Sequence, residues 1–248
     1  MPWHRPTYLP DISLIIPVYR GGETLRQSLQ RVEWFVQFSP LTYELVIVDD
    51  GADDKTRAEL FDYATTRDAV RYIRHEKNQG KGRSVADGVA VATAPILVFT
   101  DVDLPYELSA LERMHEELHN DQHIHFVVGS RRHPASIIER PYGFIRNLTS
   151  RIYNVVARVV LHRESTDIQC GIKGFRKDAA RLLFSDLISN RFAFDTELFL
   201  RAEKFGLHFK EIPVTFHHAS GSSVRVIPSG LSMLKELARM YVAYRKKK

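Results

Sequence analysis

Cysteine is almost missing from this chain: Cys170 is the only one in 248 residues. A lone thiol excludes an internal disulfide framework and is compatible with a reducing compartment. No uninterrupted apolar run approaches the ~20 residues that cross a bilayer. Met1 to Pro10 lacks an apolar core, so no cleavable signal peptide is expected there. Internal repeats and low-complexity linkers are absent too, and a single continuous domain over 1–248 is the expected organisation. Neither sign of charge dominates, since 35 Lys and Arg against 30 Asp and Glu leave a formal net charge of +5. The small excess favours anionic partners such as phosphates, nucleic acid or anionic lipid, and does not choose among them. A hydrophobic fraction of 44% is ample for a core and excludes a disordered chain.

What is present is alternation. Ser13–Val18, Glu44–Val48, Val70–Arg74, Ile96–Phe99 and Phe126–Gly129 are short apolar runs of the kind buried in a parallel sheet. Helical spacing separates them at Thr24–Phe38, Asp54–Ala64 and Leu108–Asn120, and in a small-residue helix through Val85, Val89 and Ala92 after the Gly-rich turn Asn78–Gly82. The pattern predicts an α/β fold with a doubly wound, mostly parallel sheet and helices on both faces. The second half reads as a broadly apolar helix at Phe144–Leu161, a helix at Lys177–Phe184 and another opening at Phe194–Phe199. A strand at Phe209–Val214 and a terminal helix at Ser229–Tyr244 complete it.

The stretch from Ala94 to Pro105 organises the rest. Its buried strand stops abruptly at Thr100-Asp101-Val102-Asp103. Ligands of open α/β sheets bind beyond the carboxyl ends of strands. Two carboxylates one residue apart at such an edge suit a hard divalent cation and a phosphate-bearing substrate, and are equally compatible with an Asp-rich turn. Asp49-Asp50-Gly51, trailed by Asp53 and Asp54, suits either acceptance from a nucleobase N–H or a turn with helix-capping acids. Gly80-Lys81-Gly82 can bring backbone and ammonium to a phosphate, yet it lacks the Walker pattern. Cys170 has no partner pattern for a nucleophile and reads as a small buried residue. The 11 His show no zinc-ligand spacing with it, while His217 and His218 are candidates for contact with a diphosphate.

Taken together, the motifs resemble those of the inverting GT-A glycosyltransferases of family 2. They are Ile16-Pro17-Val18-Tyr19, Val48-Asp49-Asp50-Gly51, the Asn78–Gly82 turn, Asp101-Val102-Asp103, Gly129-Ser130-Arg131 and Asp167–Lys173. The last two, with Phe192–Glu197 and Gly221-Ser222-Ser223, narrow the resemblance to polyprenyl-phosphate sugar synthases, nearest the dolichyl-phosphate β-glucosyltransferase branch. It runs from about residue 12 to about residue 240, and implies a nucleotide-binding half (about 12–130) and an acceptor-binding half (about 131–248). The resemblance implies that Pro17, Tyr19 and Asp50 line the nucleotide pocket with Lys81, and that Asp101 lies near the ribose and metal. Asp103 and Asp101 would hold Mg²⁺ or Mn²⁺. Arg131, helped by Arg146 or Arg140, would meet the acceptor phosphate, and Asp195 or Glu197 would position sugar hydroxyls or cap their helix.

The implied donor is UDP-glucose, with GDP-mannose behind it, and the implied acceptor is a polyprenyl phosphate. Nucleic acid is not an expected partner. Two rivals stand beside this reading: a soluble or polymeric hydroxyl acceptor, which needs Asp195 or Glu197 as base, and a non-enzymatic anion-binding or membrane-binding module. Three departures from the family pattern stand out. Gly21 replaces a usual Glu unless Glu23 substitutes, Ala86 replaces a usual Arg unless Arg83 reaches the same phosphate, and no spanning helix is found. Phe144–His162 and Ser229–Lys248 combine apolar stripes with basic residues, and the chain ends Arg245-Lys246-Lys247-Lys248. Peripheral attachment to the cytoplasmic membrane face is therefore the expected location.

Overall fold

The computed structural model describes residues 9–19, 21–139 and 166–217, with 236, 239–240 and 242–244 near the carboxyl end. The expected helix at 144–161, and Arg140 and Arg146 with it, lie outside the described residues, as does most of the terminal helix.

Strand β1 (Ile12–Val18) is followed by α1 (Gly22–Phe38), β2 (Tyr43–Asp50), α2 (Asp54–Thr65), β3 (Val70–His75), α3 (Lys81–Val91) and β4 (Ile96–Phe99). Next come α4 (Ser109–Asn120), β5 (Phe126–Ser130), β6 (Ile137–Ile138), β7 (Lys173–Arg176), α5 (Lys177–Phe184), α6 (Phe194–Lys204), β8 (Phe209–Pro213) and β9 (Thr215–Phe216). All eight residues of β2 are buried, which is why its sequence reads as a run without polar alternation.

The main sheet has the order β3-β2-β1-β4-β7-β5-β8. Strands β1 to β4 are parallel. From β1 the chain steps outward to β2 and β3, then α3 carries it back across to β4 on the other side of β1. The order reverses between β1 and β4, and their carboxyl ends open the crevice where such sheets bind ligands. Ile15 and Phe99 stand side by side at that edge.

Two layers of helices cover the sheet. On the face of Ile15 and Phe99, a Cβ at Gly88 of α3 would lie 2.5 Å from Ile15, and Phe99 packs on Phe184 of α5 and Phe194 of α6. On the opposite face, α4 approaches Gly174, whose missing Cβ would lie 3.1 Å from Met114. Helix α1 is tied to this second layer through Ser39 Oγ, which donates to Glu112 at 2.6 Å.

The sheet is mostly parallel, as expected, with one insertion that its sequence conceals. Strand β7 runs antiparallel between β4 and β5. Its residues, Lys-Gly-Phe-Arg, show neither an apolar run nor alternation. Lys173 is nevertheless fully buried, because its charge is paired. The two-residue pairing of β6 with β9 was likewise too short to announce itself.

Replacing Gly88 by Ala sets helix propensity, worth about 1 kcal/mol, against overpacking of the α3–β1 contact. The added methyl would meet Ile15, a branched side chain on a central strand that is 1% exposed. Overpacking costs roughly 1–3 kcal/mol, so Gly88→Ala is expected to be net destabilising, by up to about 2 kcal/mol. A urea midpoint that falls with unchanged slope would show it, and an unchanged or higher midpoint would contradict it.

Candidate active site

Beyond β4 the backbone makes a tight turn. Leu104 N–H donates to the Asp101 carbonyl at 3.0 Å, and Leu104 itself is left-handed at φ 41°. For a leucine this conformation costs on the order of 1 kcal/mol, and it is held because the side chain is 1% exposed. Asp101 and Asp103 sit on this turn at the sheet edge, both half-buried.

Lys81, the first residue of α3, reaches across to this turn. Its Nζ lies 2.7 Å from Asp101 Oδ1 and 5.5 Å from the centre of the Phe99 ring. Burial opposes its charge, but the carboxylates of Asp101, Asp195 and Asp103 more than offset that, so its pKa lies above the ordinary lysine value. Lys173 approaches the same ring at 5.5 Å while its Nζ donates to Asp195 at 2.5 Å and to the Cys170 carbonyl at 2.7 Å. Two ammonium groups thus share one aromatic floor, each matched to a carboxylate.

Gly171 explains part of the Asp167–Lys173 motif. A Cβ there would stand 2.1 Å from Asp101 Oδ2, so only glycine lets the segment pass beneath that carboxylate. Its N–H donates to Tyr106 Oη at 3.0 Å. The other end of the motif holds Arg131: Asp167 accepts from Arg131 Nε at 2.6 Å, from Nη2 at 2.7 Å and from the backbone N–H at 3.0 Å. Burial alone would raise the Asp167 pKa, and the guanidinium prevails and holds it below the usual carboxylate range.

Several expected roles change in the structure. Asp50, expected to accept from a nucleobase, is 3% exposed and already accepts from His75 Nδ1 (2.9 Å), Asn78 Nδ2 (2.8 Å), Gln79 N (2.7 Å) and Gly80 N (2.9 Å). A carboxylate offers about four acceptor positions, and the protein fills them. Asp50 therefore shapes the loop that aims Lys81. Gly80, at φ 103°, completes that loop where a Cβ would lie 2.4 Å from the Asn190 carbonyl. Glu197 is fully buried and accepts from Ile188 N, Ser189 N and Tyr244 Oη, each at 2.8 Å. It anchors a loop and neither caps its helix nor faces a crevice. Asp195 is spent on Lys173, and the fork of Arg131 is engaged by Asp167.

Pro17 lies near the end of β1, paired in register with Val48, and Tyr19 follows the strand, 43% exposed. Gly21 is packed so closely that a Cβ would meet Thr56 at 2.7 Å, which leaves no room for a larger side chain. Glu23 pairs with Arg26 at 2.8 Å, and Arg83 is held by Asp87 at 2.8 Å. His217 is engaged by Glu139 at 2.6 Å and by Glu107, and His218 lies outside the described residues. Sequence reading gave no role to His75, which bridges Asp50 and Asp87 at 2.9 Å on each side, nor to Tyr106. The only signal for His75 was its place at the end of a parallel strand.

The residues fit a divalent cation. Among the described residues no group of three or more His, Cys, Asp or Glu could hold a metal by itself; Asp101 and Asp103 are two carboxylates on one turn at the sheet edge. Hard cations that accompany phosphates are commonly held by one or two carboxylates, with substrate oxygens completing the shell. One oxygen of Asp101 is paired with the Lys81 ammonium at 2.7 Å.

Cys170 is fully buried, and burial, reinforced by Asp167, pushes its thiol pKa up to about 11. The folded protein should resist iodoacetamide at pH 8 and label only after unfolding, because the thiolate is the reactive form. Stoichiometric labelling of the native state, read by mass spectrometry, would refute this placement.

The sequence profile of Glycosyl transferase family 2 matches residues 13–184. The human dolichyl-phosphate beta-glucosyltransferase is 30% identical over 255 residues, covering 98% of this chain and 78% of its own length. AglD, a glycosyltransferase of Haloferax volcanii, is 28% identical over 93% of this chain, which spans only 37% of AglD. Among solved structures, glucosyl-3-phosphoglycerate synthase from Mycobacterium tuberculosis, bound to Mn²⁺, UDP and glucosyl-3-phosphoglycerate, aligns with a TM-score of 0.68 at 15% identity. That alignment covers 98% of this chain and 86% of that one. The same synthase is also known with Mg²⁺ and UDP. With a family profile across more than half of its length and a GT-A arrangement of its sheet, this chain belongs to glycosyl transferase family 2 and is a glycosyltransferase.

Proposed function

We propose that the enzyme moves glucose from UDP-glucose to a dolichyl or related polyprenyl phosphate, with inversion at the anomeric carbon and with Mg²⁺ or Mn²⁺. The observation that carries this reading is the Asp101–Leu104 turn, with its two carboxylates at the strand-order reversal. The glucosyl donor is supported by relatives named dolichyl-phosphate beta-glucosyltransferase in Homo sapiens and Saccharomyces cerevisiae. GDP-mannose takes second place for the same reason.

The acceptor nucleophile would be a phosphate oxygen, ionised near neutrality, so no side chain has to remove its proton. It would form a bond to the anomeric carbon as the bond from that carbon to the donor diphosphate breaks, leaving charge on the departing nucleoside diphosphate. Asp101 and Asp103 would hold the divalent ion, whose contribution when bound is to neutralise that charge. Lys81 would add positive charge at the same end, and Pro17 and Tyr19 would line the nucleotide side. Arg140 and Arg146 remain the proposed acceptor-side cations, whereas the fork of Arg131 is held by Asp167 and positions its loop. In a hydroxyl-acceptor enzyme a carboxylate base would be needed, and both candidates are committed elsewhere: Asp195 to Lys173 and Glu197 to three donors. This favours the phosphate acceptor.

Membrane attachment is proposed as peripheral and on the cytoplasmic face. Among the described residues no helix is long and apolar enough to cross a bilayer. Co-sedimentation with anionic liposomes should be salt-sensitive and weaken when Arg245–Lys248 is deleted. Absence of binding at low salt would remove this part of the proposal.

The decisive assay supplies labelled UDP-glucose, Mg²⁺ and a short polyprenyl phosphate, and looks for a β-linked lipid product. Asp103→Asn should lower turnover by about 100-fold or more while the protein stays folded, as for loss of a group that acts at the developing charge. Gly171→Ala should also impair turnover, because its methyl displaces Asp101. Near-normal rates in Asp103→Asn, or full activity in excess chelator, would overturn the metal assignment.

A further inference from the structure

The Lys81–Asp101 pair poses a problem for a carboxylate that is to bind a divalent ion. One oxygen of Asp101 is covered by an ammonium at 2.7 Å. The other lies where a Cβ on Gly171 would come within 2.1 Å, against the backbone of that segment. The carboxylate is thus already coordinated, by a cation belonging to the protein.

Lys81 is placed there by construction. Asp50 clamps the preceding loop through Gln79 N and Gly80 N, and Gly80 is fitted against the Asn190 carbonyl. The ammonium rests near the rings of Phe99 and Phe194, at 5.5 and 5.9 Å, with its side chain 13% exposed while that of Asp101 is 37% exposed. Around this floor stand three carboxylates, Asp101, Asp103 and Asp195, and two ammonium groups, Lys81 and Lys173. These five groups sum to −1; without Lys81 the remaining four would sum to −2, and a divalent ion would find a stronger site.

We propose that Lys81 is an internal counter-ion that occupies Asp101 until a nucleoside diphosphate draws it away, so that divalent-cation binding at Asp101 is conditional on nucleotide. The inference rests on the metal-dependent and nucleotide-dependent reading of the site given above. A diphosphate carries more negative charge than one carboxylate and offers several oxygens to an ammonium. As Lys81 turns to it, Asp101 is released to the incoming ion. By linkage the coupling is reciprocal: nucleotide tightens cation binding and the cation tightens nucleotide binding by the same factor. The device would keep the empty site from holding a cation that no substrate accompanies.

Mn²⁺ binding, followed by electron paramagnetic resonance with and without UDP, tests this without any turnover. The wild-type protein should bind Mn²⁺ weakly alone and at least about tenfold more tightly with UDP, within the usual range of coupling between sites. Lys81→Met, which keeps the length and apolar stem, should bind Mn²⁺ alone about tenfold more tightly than wild type and lose most of the UDP effect. Lys81→Arg should keep the coupling, and Lys81→Gln serves as the neutral variant if Lys81→Met fails to fold. If the neutral variant matches wild type in both measurements while UDP still promotes Mn²⁺ binding, the counter-ion role is overturned and the metal-dependent reading stands. If no protein binds Mn²⁺ even with UDP, both fall.

Discussion

Buried charge has to be matched by opposite charge or by directed donors, and this requirement governs the active end of the sheet. Lys173 is fully buried and is compatible with a strand only because Asp195 and the Cys170 carbonyl accept its hydrogen bonds. Asp167, 1% exposed, is matched by the fork of Arg131, and Glu197 by three donors. Removing one member of such a set strands the other in low dielectric, at roughly 3–5 kcal/mol. Each set also joins two distant parts of the chain. The separation is 22 residues for Lys173–Asp195 and 36 for Arg131–Asp167. The pairs therefore act as staples among loops that the hydrophobic core does not itself position.

That view reorders the motifs. Read as a string, Asp49-Asp50-Gly51 and Asn78–Gly82 look like two separate ligand-facing pieces. In the fold the first builds the second: Asp50 takes donors from 78, 79 and 80, and the loop so shaped delivers Lys81 to Asp101. Few of these groups face the open edge directly. Preorganisation of this kind lets a transferase meet a leaving diphosphate without rearranging its own dipoles as charge develops.

The fold was legible in the sequence where burial is two-sided and apolar. The strand at Ile96–Phe99 coincides with its expected limits and β1 and β2 agree within a few residues, because a continuous apolar run has little else to become. The position of Asp101 and Asp103 beyond a strand was legible for the same reason. What was not legible depends on partners far away in the chain. Nothing local distinguishes Asp50, saturated by backbone and side-chain donors, from an aspartate that faces a ligand. Glu197 at the start of a helix looks like a first-turn acid, yet its donors come from 188, 189 and 244. Strand β7 was hidden because its central glycine and its buried lysine are both chosen by neighbours, Met114 in one case and Asp195 in the other.

The hidden strand is also what assembles the site. A parallel neighbour would begin at the edge of the sheet remote from the crevice. Because β7 is antiparallel, its first residue, Lys173, stands opposite both Phe99, the last residue of β4, and Val128 near the end of β5. The segment leading into β7 therefore reaches the same edge at which β4 and β5 run out. In that space Gly171 meets Asp101, and Asp167 meets Arg131. Parallel strands alone would bring Asp101 and Arg131 to one edge, with a strand-wide gap between β4 and β5. Filling the gap with a reversed strand places a third loop between two others and supplies it with a glycine, a carboxylate and a buried lysine. The direction of four residues thus decides which side chains share a site.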